Sequence, residues 1–166
     1  MDWREQLQIL GEVGLAMLLS AVIGAERELA RKPAGLRTHM LVSGAAALLV
    51  GLGFTIVRRF GGSAQYPLVR VDPVVVIQAV VTAVGFLGAG TILHRSSETP
   101  ASHGEHVEGL TTAASLLFVA ALGTCVALGQ FFLAAGVTAL GWLTLRVVAR
   151  VEDRLRRRAA ARPPLR

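Results

Sequence analysis

The stretch Val74-Val75-Val76-Ile77-Gln78-Ala79-Val80-Val81-Thr82-Ala83-Val84-Gly85-Phe86-Leu87-Gly88-Ala89-Gly90-Thr91-Ile92-Leu93 contains no charged side chain. A helix needs ~20 mostly apolar residues to cross a hydrocarbon core of ~30 Å, and this stretch supplies them. Four stretches of comparable character flank it: Leu7 to Ala25, Thr38 to Val57, Gly109 to Ala127 and Phe131 to Val148. The breaks between them carry charge or turn chemistry: Glu26 to Arg37, Arg58 to Pro73, His94 to Glu108, and the short Leu128-Gly129-Gln130. The last two stretches are read as two crossings with a turn at Gly129, because one helix over their joint length would rise about 60 Å. The expected fold is therefore all-α. It is a single polytopic membrane domain with five transmembrane helices over 7–25, 38–57, 74–93, 109–127 and 131–148, followed by an Arg-rich tail over 149–166.

Composition points the same way. The 166 residues are 53% hydrophobic and 17% charged, with a mean hydropathy of +0.57, whereas soluble domains carry roughly a quarter charged residues. The formal net charge is +6, which taken alone also fits a nucleic-acid binder. Where the charges sit decides otherwise. Arg27, Arg31, Lys32, Arg37 and Arg95 fall on one side of the spans with the tail residues Arg146, Arg150, Arg154, Arg156, Arg157, Arg158, Arg162 and Arg166, while Arg4, Arg58, Arg59 and Arg70 fall on the other. Cytoplasmic loops carry the excess of Lys and Arg, so the amino terminus is expected outside a plasma membrane and the tail in the cytoplasm. The tail reads as a contact for anionic lipid headgroups; with no aromatic side chain to stack on bases, it is not expected to bind nucleic acid. Cys125 is the only cysteine, so no intramolecular disulfide or cysteine-based zinc site is available. The first apolar run is expected to be a retained helix, because cleavage after Ala25 would put Ile23 where a small residue is needed.

Helices in lipid associate through small residues that allow close backbone approach, aided by interhelical hydrogen bonds. Many of the 18 glycines lie inside the spans, Gly85, Gly88 and Gly90 among them. Gln78, Thr82, Gly85 and Ala89 follow helical spacing, so they share one small, polar face, with Thr111, Thr112 and Ser115 of the next span as expected partners. Such a face serves either as a packed seam or as the lining of a solute path. Glu12 is an acid within the first span, which marks either a functional site or a carboxylate reaching interfacial water. In the first basic loop, Glu26 closes one helix and Arg37 opens the next. A bidentate carboxylate–guanidinium pair there would fix the helix spacing, with Thr38 as N-cap and Pro33 and Gly35 making the turn; an ordinary basic connector is the other reading. His94, His103 and His106 share the third loop with Glu98, Glu105 and Glu108, but their spacing matches no closed zinc motif and no metal site is expected.

Three stretches together resemble the MgtC/SapB family of bacterial inner-membrane proteins. They are Ile23-Gly24-Ala25-Glu26-Arg27-Glu28 running to Ala34-Gly35-Leu36-Arg37-Thr38-His39; Asp72-Pro73 through Gln78 to Gly85-Phe86-Leu87-Gly88-Ala89-Gly90; and Gly109-Leu110-Thr111-Thr112-Ala113-Ala114. The resemblance implies a hydrophobic module of four or five helices linked to magnesium homeostasis, growth under magnesium limitation and virulence. It also implies a regulatory action on a membrane partner such as the F-type ATP synthase, and it marks Glu26, Arg27, Gly35, Leu36, Arg37, Thr38, Asp72, Gln78, Gly85, Gly88, Gly90, Gly109, Thr111 and Thr112 as candidate functional residues. Larger members carry a soluble carboxyl-terminal domain, which this sequence is expected to lack. An ATPase is not expected. A Walker A loop ends in Gly-Lys-Ser/Thr, yet the chain's only lysine, Lys32, stands between Arg31 and Pro33. The resulting expectation is a non-enzymatic, cofactor-free membrane regulator, with self-association left open. The alternative is a transporter or channel for magnesium or another small solute, with Glu12, Gln78 and the Thr111/Thr112 region along its path.

Overall fold

The computed structural model describes residues 2–60, 72–96 and 109–160. Five helices follow in order: α1 Trp3–Leu29, α2 Leu36–Phe60, α3 Pro73–Ser96, α4 Leu110–Ala127 and α5 Phe131–Ala160. All five are long and apolar enough to cross a membrane, and no strand occurs among the described residues. The protein is a multi-pass, all-α membrane bundle. Each expected span lies within one residue of its helix or inside it. α5 runs well past residue 148, and at 1.5 Å per residue it reaches about 45 Å, so the basic stretch continues the last helix out of the ~30 Å core.

Local chemistry sets the helix ends. Asp72 caps α3: its Oδ1 accepts the Val74 N–H at 2.9 Å, and Pro73 occupies the first helical position, where a missing N–H costs nothing. α1 stops at a left-handed residue, Arg31 at φ 53°, where Arg31 N–H bonds the Glu28 carbonyl and Lys32 N–H reaches back to that of Arg27. α4 ends with the same two bonds around Gly129, at φ 71°. At the start of α2 the expected cap is corrected. The helix begins at Leu36, and the Leu36 N–H donates to Glu28 Oε2 of α1 at 2.8 Å, leaving Thr38 exposed inside the first turn.

Among the described residues α4 packs against each of the other four helices, whereas α3 touches only α2 and α4, and α5 only α1 and α4. One apolar cluster joins Ala46 and Val50 of α2, Val80 and Val84 of α3, and Leu116 and Ala120 of α4. A second joins Ala16, Ala47, Leu122, Val126 and Ala134, from α1, α2, α4 and α5. Between these clusters the backbones meet at Ser43. Its hydroxyl donates to the Ala16 carbonyl of α1 at 3.1 Å, and its own carbonyl oxygen lies where a Cβ on Gly123 of α4 would have to go. The small residue lets α4 lie on α2 backbone to backbone.

Gly123→Ala should therefore force α2 and α4 apart and lower the unfolding midpoint in detergent, by an amount equivalent to about 1–3 kcal/mol. Gly136→Ala has nothing within 4 Å of the new methyl and should stay within about 0.5 kcal/mol of the parent. Equal midpoints for the two variants in a thermal melt would rule out the close crossing.

Candidate functional site

One end of the bundle gathers the carboxyl end of α1, the amino end of α2, the carboxyl end of α3 and the amino end of α4. Here Arg27, one residue before Glu28 on α1, turns into the bundle and is 3% exposed. Its Nη2 donates to Thr112 Oγ1 at 2.8 Å. Its Nε is buried and meets no hydrogen-bond partner among the described residues. Beside it His39 is fully buried. The Nδ1 of His39 lies 2.8 Å from the Gly35 carbonyl and its Nε2 3.1 Å from Ser115 Oγ. Since a carbonyl oxygen only accepts, the proton sits on Nδ1, and in the neutral ring Nε2 accepts from the Ser115 hydroxyl. Ser115 Oγ also lies 2.8 Å from the Thr112 carbonyl, so His39 and Thr112 compete for one hydroxyl proton. The chain Arg27, Thr112, Ser115, His39, Gly35 thus links α1, α4 and α2 through buried polar contacts.

Glycines bring the backbones within reach. A Cβ on Gly24 would lie 2.8 Å from Leu36 Cα, so α1 and the start of α2 need that glycine to close. A Cβ on Gly35 would meet Glu28 Oε2 at 2.8 Å. Gly109 stands at φ 105°, a left-handed conformation that L side chains rarely adopt, and a Cβ there would also fall 3.2 Å from the Thr91 carbonyl oxygen of α3. Gly88 faces Ala113, whose Cβ would sit 3.1 Å from an added methyl.

Of the residues singled out from the sequence, Arg27, Gly35, Leu36, Gly88, Gly109 and Thr112 converge on this end. Several others do not. Glu26 is half-buried and Arg37 exposed, and no ion pair joins them among the described residues; successive helical residues point about 100° apart, and it is Arg27 that turns inward. The expected seam between Gln78, Thr82, Gly85, Ala89 and the Thr111/Thr112/Ser115 segment is also absent. α3 docks instead through Val80, Val84 and Gly88, an i, i+4, i+8 ridge, and this leaves Gln78, Thr82, Gly85 and Ala89 exposed. Gly85 and Gly90 have nothing within 4 Å of an added Cβ, and Thr111 is exposed. Asp72 serves as a helix cap. Glu12 is half-buried on α1 and accepts from Gln8 Nε2 at 2.8 Å, away from the cluster. His103 and His106, with Glu98, Glu105 and Glu108, lie outside the described residues, as does the side chain of His94. Among the described residues no group of three His, Cys, Asp or Glu side chains is placed to hold a metal ion.

Sequence reasoning missed His39 and Ser43 as site residues. The signal was present: 39, 43, 46, 47 and 50 repeat at helical spacing, so the two polar residues share a face with Ala46, Ala47 and Val50, all buried.

The model of the MgtC family matches residues 13–154, which include the whole cluster. Protein SrpB of Synechococcus elongatus is 39% identical over 138 residues, covering 83% of this chain and 73% of that protein. An Escherichia coli K12 protein named putative magnesium transporter YhiD is 36% identical over 143 residues, covering 85% of this chain and 60% of its own length. Protein MgtC of Salmonella typhimurium is 37% identical over 116 residues, 70% of this chain, and the match covers 42% of that protein. No solved structure matches the chain.

Thr112→Val keeps the shape of the side chain and removes the hydroxyl that Arg27 bonds. Losing a hydrogen bond to a buried cation should cost about 1.5–3 kcal/mol, read as a lower melting midpoint in detergent. Thr111→Val, at the exposed neighbour, should stay within about 0.5 kcal/mol. If the two variants melt alike, Arg27 is not anchored on Thr112.

Proposed function

Since the chain belongs to the MgtC family, we propose that it is a non-enzymatic regulator in the bacterial inner membrane, serving adaptation to low magnesium by docking on another membrane complex through the outward face of α3. The observation that carries this reading is the Gln78 amide. Gln78, Thr82, Gly85 and Ala89 line the side of α3 that no other helix covers. Only 17% of the α3 span is buried, against 44% of α4. α5, with 11% buried, is more exposed still, but its outward side chains are mostly apolar and lipid satisfies them. The exposed hydroxyls of Thr82 and Thr144 bond back to the Gln78 and Leu140 carbonyls at 2.8 Å. The Gln78 amide has no partner among the described residues. An amide in lipid gains by bonding across a helix interface, and Gly85 with Ala89 offers a backbone-close approach beside it.

The filled bundle centre weighs against a solute path. Ser43 and Gly123 meet backbone to backbone there, Ala16, Ala47, Leu122 and Val126 are buried around them, and Glu12 bonds its neighbour Gln8. The excess of Lys and Arg at the α1–α2 turn and along the end of α5 supports a cytoplasmic location for that end of the bundle. By family resemblance the partner is a complex such as the F-type ATP synthase. The transporter reading draws on the name of the E. coli relative. The chain spans 60% of that protein and 42% of the Salmonella protein, so it answers for their shared membrane part.

Two measurements decide. Purified protein in liposomes should show no saturable magnesium flux; saturable flux that Glu12→Gln abolishes would make it a transporter. In cells, Gly85→Leu should keep membrane insertion and the melting midpoint while losing cross-links from α3 to a partner. Gly88→Leu, which strikes Ala113, should destabilise the bundle itself. Unchanged cross-links in Gly85→Leu would remove the α3 face from the interface.

A further inference from the structure

The buried guanidinium of Arg27 carries a positive charge, yet among the described residues its side-chain acceptor is a neutral hydroxyl and its Nε has no partner. Among the described residues no carboxylate pairs with it. Glu28 is committed to the Leu36 N–H, and Glu26, adjacent on α1, attracts the guanidinium through space but makes no salt bridge with it among the described residues. His39, the remaining titratable group of the cluster, bonds the Gly35 carbonyl and Ser115 and offers no negative charge. A buried cation without a directly hydrogen-bonded counter-charge is strongly unfavourable.

Thr112, the residue that Arg27 holds, belongs to the first turn of α4. Gly109 precedes that helix in a left-handed conformation and gives it no side-chain cap. The first backbone bond closing the helix is from Ala113 N–H to Gly109 O. The N–H groups of Leu110, Thr111 and Thr112 therefore meet no acceptor among the described residues. Three N–H donors with no acceptor among the described residues, the positive end of an 18-residue helix and a guanidinium that no carboxylate bonds among those residues stand together. Each favours an anion, and the arginine fork matches an oxyanion's geometry. Arg31, Lys32 and Arg37, exposed at the same end of the bundle, add long-range attraction.

We propose that the amino terminus of α4 and the Arg27 guanidinium form a binding site for a phosphate-type oxyanion, supplied by an anionic phospholipid headgroup or by soluble phosphate. The anion takes up the N–H groups at the start of α4 and neutralises Arg27, tying α1 to α4 where α2 and α3 also meet. Occupancy then sets how firmly this end of the bundle is held.

The test uses the full chain purified in phosphate-free buffer. Inorganic phosphate, titrated at constant ionic strength with chloride as the control, should raise the melting midpoint in a saturable way. Native mass spectrometry of protein released from nanodiscs of phosphatidylcholine with phosphatidylglycerol should show whether one anionic lipid stays bound. Retention of phosphatidylglycerol assigns the headgroup as the source, and a phosphate response without retained lipid assigns the soluble anion. Arg27→Gln should weaken either response at least tenfold. Thr111→Glu, an exposed position in the first turn of α4, supplies a carboxylate to the same N–H groups and should do so while keeping the protein folded. The proposal is overturned if neither phosphate nor phosphatidylglycerol binds, or if Thr111→Glu responds as the parent does. It is equally overturned if a phosphate response emerges only in Glu108→Gln, since the chain would then be providing its own counter-ion.

Discussion

The contact on which the bundle depends is the crossing of α2 and α4 at Ser43 and Gly123. Two helices separated by ordinary side chains lie 8–10 Å apart, and a side chain at position 123 would occupy the space of the Ser43 carbonyl oxygen. With only a hydrogen there, α4 sinks between α1 and α2 and becomes the element every other helix touches. The Ser43 hydroxyl, bonded to the Ala16 carbonyl, locks α1 to the same point. In lipid, where no hydrophobic force drives helices together, such close approach and a few hydrogen bonds supply the cohesion.

The polar cluster at the cytoplasmic end of the proposed topology follows from that crossing. With α4 fixed along α2, Thr112 and Ser115, on the same side of α4 as Gly123, are carried to Arg27 and His39. Gly24, Gly35, Gly88 and Gly109 let α1, α2 and α3 close around them. The family's motif residues thus divide by physical task. Some permit backbone approach, some form the buried network, Asp72 starts a helix, and Gln78 with Gly85 is left on the outer face of α3.

Much of this was legible in the chain. Apolar runs with at most one charged residue, long enough to span a bilayer, located the five helices. The Leu128-Gly129-Gln130 break marked a true turn, where a left-handed residue is required. Arg27, Gly88, Gly109 and Thr112 are marked by the resemblance to the family, and the structure gathers them at one end of the bundle. Other assignments failed for identifiable reasons. Glu26 and Arg37 are complementary charges at the expected spacing, but a helical turn sends their neighbour Arg27 inward instead. Gln78, Thr82, Gly85 and Ala89 do share a face, and periodicity could not tell that this face points away from α4.

By itself, the amino-acid sequence determined an all-α protein of five membrane-spanning helices, separated by charged, proline or glycine-bearing breaks. Length, hydropathy and local backbone preference act within each segment and need no neighbour. Which face of each helix is buried, and which of several arginines and glycines meets a partner, was decided only in the tertiary structure. In water, the contrast between apolar and polar sides tells a helix which way to turn. In a bilayer both the neighbours and the solvent are apolar, so packing shape and the few hydrogen bonds available across helices make that choice.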